Sequence, residues 1–277
     1  MKYFFSHCDT LIKDWLSSSF ITTGTYKNDP FLSVQKKPNG GLLQPKYINL
    51  MPEPFWGDPG DPDKKNLAVM LNLNPGYGNN DHKYIGKTAV AGSLSNGYPS
   101  FAKTNPYLTN SSFHPDAYDW WRKRLAWLKS IFGEREELPF VLELCPWHSH
   151  NWSEAGIVQF NKNQIDHIEK YVLLPAQEAV KNSVSGCIIS IGKVYTRLYP
   201  ELGFKLVKEW EPDSSNKNWP TSPKTKKPKN VHFKYYKKDT ETGTIKVLSI
   251  WIWGSNKTPC SEFLDIEKEI VGYIRTH

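Results

Sequence analysis

The sequence predicts an α/β protein with a three-layer, doubly wound fold around a central, mainly parallel, four-stranded sheet. Short apolar runs without breakers alternate along the chain with longer segments of helical periodicity. This alternation is typical of strands that are buried on both faces and connected by helices. With 39% apolar and 14% aromatic residues, the chain can build the core of a single domain over residues 1–277.

Apolar runs predict the positions of the strands. The four core strands span residues 67–73, 139–144, 186–191 and 245–253, and an edge strand spans 204–210. The carboxyl ends of parallel strands meet at one edge of a sheet, where α/β proteins bind their ligands. We therefore expect the polar residues that follow the four core strands to share one crevice.

The remaining segments are predicted to be helices or loops. Helical periodicity covers residues 115–132 and 161–182, with a kink at Pro175, and a last amphipathic helix closes the chain. Residues 1–50 are interpreted as a cap that contains one amphipathic helix. Residues 77–112 are interpreted as a long loop, and a loop of that length in a compact domain is usually functional or disordered.

Two further segments are expected to be irregular. Three prolines in residues 51–59 fix an extended loop, from which Asp58 either reaches the active site or stabilises a turn. Residues 212–238 contain eight lysines and little apolar content, which indicates a mobile basic insertion. Such an insertion can supply phosphate contacts that do not depend on nucleotide sequence.

Composition narrows the class of partner. The net charge of +7 and the pI near 9.0 favour an anionic partner, with nucleic acid first.

The four cysteines show no Cys-x-x-Cys spacing, which argues against zinc, iron–sulfur and disulfide frameworks. Ser6, His7 and Asp9 break the first apolar run before it could form a signal peptide or a membrane span. We expect a cytoplasmic monomer that binds DNA, needs no metal or other cofactor and does not contact membranes.

Short motifs follow the four core strands. They are Asn72-Leu73-Asn74-Pro75-Gly76, Glu143-Leu144-Cys145-Pro146, Ile191-Gly192-Lys193 and Trp253-Gly254-Ser255-Asn256-Lys257-Thr258-Pro259. A further motif in the predicted long loop is Gly97-Tyr98-Pro99-Ser100-Phe101. Taken alone, the first motif reads as a turn. In their order along the chain, the motifs together resemble those of the uracil-DNA glycosylase superfamily, closest to its mismatch-specific and single-strand-selective branches.

The resemblance implies a uracil-DNA glycosylase-like fold and a monofunctional glycosylase that acts on a base flipped out of DNA. Asn74 would position the attacking water, and Gly76 would leave room at C5 of the base. Phe101, or failing that Tyr98, would stack on the base. Other residues expected around the base are Asp58, Tyr77 and His148, and those expected to contact the DNA backbone are Lys193, Ser255, Asn256 and Lys257.

The chain departs from the family pattern at three informative positions. Asn72 stands where the family has glycine, and Glu143 stands where the single-strand-selective branch has the asparagine that reads uracil. Trp253 replaces the histidine that stabilises the departing uracil anion. A carboxylate can accept from the exocyclic amine of cytosine, and a protonated carboxyl can also donate to ring nitrogen 3.

These departures imply a pocket for a cytosine derivative with room at C5. In these departures the chain resembles a phage-defence glycosylase of the superfamily, which removes glucosylated 5-hydroxymethylcytosine from phage DNA. No lysine at the strand tips is clearly placed as a nucleophile, so we expect hydrolysis to an abasic site without a Schiff base.

Three other functions remain open at this point. The chain could be a uracil or mismatch glycosylase in base excision repair, or a DNA-binding protein that kept the fold without catalysis. His148 and His150 could also belong to a metal-dependent hydrolase. A His-x-His pair in a loop is more often structural, however, and no complete ligand set is visible in the sequence.

Overall fold

Helices and the strands of one sheet alternate along the chain, which confirms the α/β class. The structure is a computed structural model, and it describes residues 1–17, 30–31, 49–73, 75–148, 160–241, 243–252, 259 and 261–277. In these ranges, no helix has the length and apolar character that crossing a membrane requires.

Within the described residues the sheet has seven strands. They are β1 (Phe55–Trp56), β2 (Val69–Asn72), β3 (Phe140–Glu143), β4 (Ile188–Ile191), β5 (Lys205–Trp210), β6 (Val231–Thr240) and β7 (Gly243–Ile252). Their order is β1-β3-β2-β4-β7-β6-β5. The four predicted core strands are β2, β3, β4 and β7, and the predicted edge strand β5 does lie at an edge.

The sheet is mixed in direction. Strand β4 pairs in parallel with both β2 and β7. The N–H groups of Phe140 and Leu144 donate to the carbonyls of Ala68 and Asn72, both at 2.9 Å, so β2 and β3 also advance in the same direction. Strands β1, β5 and β6 are antiparallel to their neighbours. The prediction of a four-stranded, mainly parallel sheet is therefore wrong in strand number and in the extent of parallel pairing.

Strand β6 corrects the prediction of a mobile insertion over residues 212–238. Val231 and Phe233 are buried and alternate with half-buried residues, which is the two-residue period of a strand with one covered face. Before this strand, Trp219 is 4% exposed, and its indole N–H donates to the Lys229 carbonyl at 2.9 Å. The lysine-rich segment is therefore anchored at Trp219 and ends in the sheet.

The described residues contain helices of very different lengths. They are α1 (Lys2–Leu16), α2 (Asp81–Ile85), α3 (Lys87–Val90), α4 (Tyr98–Lys103), α5 (Pro106–Thr109), α6 (Pro115–Phe132), α7 (Lys162–Ile168), α8 (Leu174–Val180), α9 (Val194–Glu201) and α10 (Leu264–Thr276). Helix α6 confirms the prediction over 115–132. Helices α2 to α5 replace the predicted loop over 77–112. For α4 and α5, a proline in the first turn suits a helix start.

The helix predicted over residues 161–182 is interrupted. A π-helical turn at Glu169–Leu173 connects α7 with α8. Pro175 has no N–H to donate to the Tyr171 carbonyl, and a wider turn just before it accommodates the missing hydrogen bond. The interruption places Tyr171 on the π-helical turn.

The chain divides into two compact units. Unit 1 comprises Met1–Asp58, Asn72–Arg122 and Val141–Glu178, and unit 2 comprises Pro59–Leu71, Lys123–Phe140 and Ala179–His277. Each unit is discontinuous in sequence, and β2 and β3 contribute residues to both. The single domain expected over residues 1–277 stays a prediction.

Candidate functional site

Two of the residues that depart from the family pattern contact each other in unit 1. Asn72 ends β2 and Glu143 ends β3, and the Leu144 N–H donates to the Asn72 carbonyl. The Asn72 side-chain amide donates to Oε1 of Glu143 at 2.9 Å. Both residues are buried, at 7% and 4% exposure. The polar ends of two neighbouring strands therefore form one hydrogen-bonded pair.

A small cavity of about 20 Å³, partly open to solvent, adjoins Glu143. Its lining comes from α1, the loop before β1, the end of β3, and the α7 and π-helical segment, and consists of Phe4, His7, Cys8, Leu11, Pro54, Glu143, Pro146, His167, Tyr171 and Val172. Glu143 is the acidic residue of this lining. The cavity thus combines one carboxyl group with apolar and aromatic walls, as ligand pockets commonly do.

One wall of the cavity consists largely of aromatic rings. The rings of His7 and Tyr171 stack with centroids 3.7 Å apart, and His167 lies 4.8 Å from Tyr171. Burial lowers the pKa of His167 to about 4, so this ring is neutral at pH 7. Burial also raises the pKa of the Cys8 thiol, which keeps it protonated. The sequence analysis did not foresee that α1 supplies part of this wall.

The turn after β2 is fixed at two backbone groups. The Gly76 carbonyl accepts from Nδ1 of His148 at 2.6 Å, and the Gly78 N–H donates to Oδ2 of Asp81 at 2.7 Å. Gly76 is exposed, and a Cβ atom at this position would meet nothing within 4 Å. The turn is therefore held from the protein side and open on the side of Gly76.

His148 is buried and bonded at both ring nitrogens. Nε2 lies 3.0 Å from the Met51 carbonyl and 3.4 Å from Oε1 of Glu53, while Nδ1 faces Gly76. Carbonyl oxygens only accept, so both nitrogens must carry hydrogens and the ring is an imidazolium. Burial opposes this charge, but Glu53 and the Gly76 carbonyl outweigh it and raise the pKa of His148.

Glu53 is the counterion of His148. Its carboxylate accepts from the Tyr107 hydroxyl at 2.5 Å and from the Trp56 indole at 2.9 Å. The Glu53 N–H donates to the Pro146 carbonyl at 2.8 Å, which ties this segment to the loop that carries His148. Both oxygens of a side chain that is only 4% exposed therefore have hydrogen-bond donors.

A second buried pair supports Asp81. Nε2 of His114 lies 3.0 Å from Oδ1 of Asp81, and the two residues are 4% and 5% exposed. Burial works against the Asp81 carboxylate, but His114 and the Gly78 amide more than compensate and lower the pKa of Asp81. The turn after β2 is thus flanked by two buried histidine–carboxylate pairs.

The aromatic residues predicted to stack on a base lie in different environments. Tyr98 has 0% exposure, and its hydroxyl donates to the Phe55 carbonyl at 2.7 Å, so the protein encloses its ring. Phe101 is half-buried, with its ring 5.8 Å from that of Trp56. Tyr77 is half-buried as well. Phe101 therefore remains the better candidate of the two that the sequence analysis named.

The other predicted site residues divide into three groups. Asp58 is exposed at the end of a unit 1 segment. Lys193 is exposed in unit 2, with Nζ 4.7 Å from the centroid of the Trp251 ring. The residues that lie outside the described ranges are Asn74, Trp253, Ser255, Asn256 and Lys257.

His148 differs from its expected role. The sequence analysis placed it in the lining of the base pocket, whereas its ring is 2% exposed and bonded to backbone carbonyls. With both nitrogens protonated, the ring cannot ligate a metal. His150, its partner in the metal-hydrolase alternative, lies outside the described residues.

Among the described residues, one group of three side chains, in unit 2, brings metal-ligating atoms close together. Glu209, Glu211 and His232 place such atoms within 4.8 Å of one another. Nζ of Lys234 lies 2.6 Å from Oε1 of Glu209, so an ammonium group already neutralises this carboxylate. This arrangement is an ion-paired surface of β5 and β6, and we assign no metal to it.

Sequence reasoning missed Glu53, Asp81, Tyr107 and His114. The proline-rich loop drew attention to Asp58, but its buried acid is Glu53. The predicted long loop over 77–112 contains the other acid and Tyr107. No local pattern singled out these residues, because the partner of a buried charged group is supplied by another segment of the chain.

No family model, curated protein or solved structure matches the chain. The order of the motifs and the contacts within the site are therefore the support for a function.

Proposed function

We propose that the chain is a DNA glycosylase of the uracil-DNA glycosylase superfamily, with a flipped modified cytosine as substrate. The contact between Asn72 and Glu143 carries this proposal. Two departures from the family pattern meet at the ends of adjacent strands, immediately before the Asn74-Pro75-Gly76 motif. We include in the proposal the three-layer, doubly wound arrangement, for which the adjacent parallel strands β2, β3, β4 and β7 are the support.

The chemistry of Glu143 favours cytosine over uracil. Oε1 accepts from Asn72, which holds the carboxyl group in one orientation beside the cavity. A carboxyl oxygen attracts the exocyclic amine of cytosine, but it repels the oxygen that uracil carries at the same position. A well-formed pair of hydrogen bonds to a base edge contributes about 1–3 kcal/mol of discrimination.

The surroundings of Gly76 favour a substituent at C5. A side chain is absent at this exposed position, and a Cβ atom there would enter open space. We propose glucosylated 5-hydroxymethylcytosine in phage DNA as the substrate, which would make the protein an antiviral defence enzyme.

The proposed reaction is hydrolysis of the N-glycosidic bond. The base flips into the pocket, Asn74 orients a water molecule, and the bond between C1′ and the base breaks toward an oxocarbenium-like sugar. Fixed backbone dipoles of the site act on the negative charge that develops on the base. Water adds to C1′ and leaves an abasic site, while Lys193, Ser255, Asn256 and Lys257 would hold the DNA backbone.

A base-release assay tests this function. Matched oligonucleotides carry uracil, cytosine, 5-hydroxymethylcytosine or its glucosylated form, and alkaline cleavage reports abasic sites. We expect release of the modified cytosines by the wild type and loss of that release in Glu143→Asn. Release of uracil alone would identify a repair glycosylase and would contradict the role of Glu143. Binding of DNA without release of any base would identify a non-catalytic protein.

A further inference from the structure

We propose that His148 is a positioning residue that holds the Gly76 carbonyl, just after the proposed catalytic Asn74, as a charged clamp between two backbone carbonyls. This inference rests on the proposed function and adds to it a residue with a defined role and a pH dependence. All contacts that carry it lie within unit 1.

The clamp connects two segments that are distant in sequence. One nitrogen of His148 bonds the Gly76 carbonyl at 2.6 Å, and the other bonds the Met51 carbonyl at 3.0 Å. Gly76 lies two residues after Asn74, the proposed water-positioning residue. Only Pro75 separates the two residues along the chain.

The clamp requires a proton on each ring nitrogen. A neutral imidazole has one donor and one acceptor, so deprotonation would turn a lone pair toward one of the two carbonyls. That carbonyl and the lone pair repel each other, and one end of the clamp opens. A displacement of about 1 Å at a reacting group can reduce a rate by about 100-fold.

Acidic groups around His148 maintain its charge. Glu53 faces it from the segment before β1, with Oε1 at 3.4 Å, and Asp81 acts on it from α2. The Tyr107 hydroxyl on α5 donates to Glu53, and His114 pairs with Asp81. These contacts raise the pKa of His148, so the clamp is intact below that raised pKa and opens as the pH rises through it.

The test compares the wild type with His148→Gln in single-turnover base release from the modified-cytosine oligonucleotides. Glutamine is neutral and cannot donate to both carbonyls in the same way. We expect a rate about 100-fold lower with DNA affinity retained. We also expect the wild-type rate to fall as the pH rises through the raised pKa of His148, and this fall to be absent from the variant.

Glu53→Gln provides the second variant. Removal of the carboxylate lowers the pKa of His148, so the alkaline fall in rate should move to lower pH. If His148→Gln does not fold, this shift in the pH profile tests the clamp by itself. His277→Gln, at the exposed end of α10, is the matched control and should keep the wild-type pH profile.

Two kinds of failure can be told apart. A wild type that releases none of the bases would overturn the proposed function, and the role of His148 with it. An active wild type, together with a folded His148→Gln variant of equal rate and equal pH profile, would overturn the clamp alone. An unshifted pH profile in Glu53→Gln would also overturn it.

Discussion

The hydrogen bond between Asn72 and Glu143 leads to a quantitative prediction. Its atoms lie 2.9 Å apart, and both residues are less than a tenth exposed, so water cannot easily replace a missing partner. A buried polar group that loses its hydrogen-bond partner costs about 1–3 kcal/mol. The substitution Asn72→Ala should lower the free energy of unfolding by about that amount. If Glu143 needs this contact to hold the base, release of the base should slow by about 5- to 160-fold.

A double-mutant cycle isolates the contact. Asn72→Ala, Glu143→Ala and the double variant are compared by urea unfolding and by single-turnover release of 5-hydroxymethylcytosine. We expect a coupling free energy of about 1.5–3 kcal/mol in stability. The matched control is Asn66→Ala in unit 2, because Asn66 is 2% exposed and donates to the Pro59 carbonyl at 2.6 Å. This control should cost stability without changing the rate of the folded protein.

Additive effects would refute the reasoning. A coupling below about 0.5 kcal/mol in both assays would mean that the two side chains act independently. The discrimination between cytosine and uracil would then have to come from Glu143 alone or from another part of the site.

Two further predictions concern Gly76 and Glu267. Gly76→Tyr should leave the melting temperature nearly unchanged, since a Cβ atom meets nothing within 4 Å, but it should reduce release of C5-substituted bases relative to plain cytosine in the base-release assay. Burial raises the pKa of Glu267 to about 7, against the opposing hydrogen bond from Trp127, so stability should fall as the pH rises from the ordinary glutamate range through about 7. Glu267→Gln keeps an acceptor for Trp127 and should raise the free energy of unfolding by about 1–3 kcal/mol at alkaline pH, with no gain in acid, as measured by urea unfolding. Equal gains at both pH values would show that the charge of Glu267 is not the cause.

The core of the fold could be predicted because buried parallel strands have an unambiguous pattern. The run before Asn72 is apolar at every position, and only a strand covered on both faces needs that composition. Strand β6 escaped prediction because its half-buried face carries lysines, whose charged ends reach water while their stems cover apolar surface. Lysine content alone therefore indicated an insertion, whereas the alternation of Val231 and Phe233 with polar residues indicated a strand.

The candidate site could be predicted only in its local parts. Motif order predicted Gly76 and Glu143 as site residues, because they lie in short motifs at the ends of recognisable strands. The partners of His148 are Met51 and Glu53, which are distant in sequence, and no local pattern indicates that pairing. Buried polar networks of this kind are specified by the tertiary structure, since each donor must meet an acceptor that another segment supplies.

The residues at positions 72 and 143 depend on each other physically. The family glycine at position 72 would offer no side-chain donor, and a carboxyl group at 143 would then be buried without the amide that it contacts here, which is costly for a charged group. An asparagine at position 143 would instead place two side-chain amides together. Position 72 would then still differ from the glycine of the family pattern. Under the proposed function, base specificity therefore belongs to the pair. The substitution Glu143→Asn alone should remove the preference for cytosine. Recognition of uracil as in the family would also need glycine at position 72.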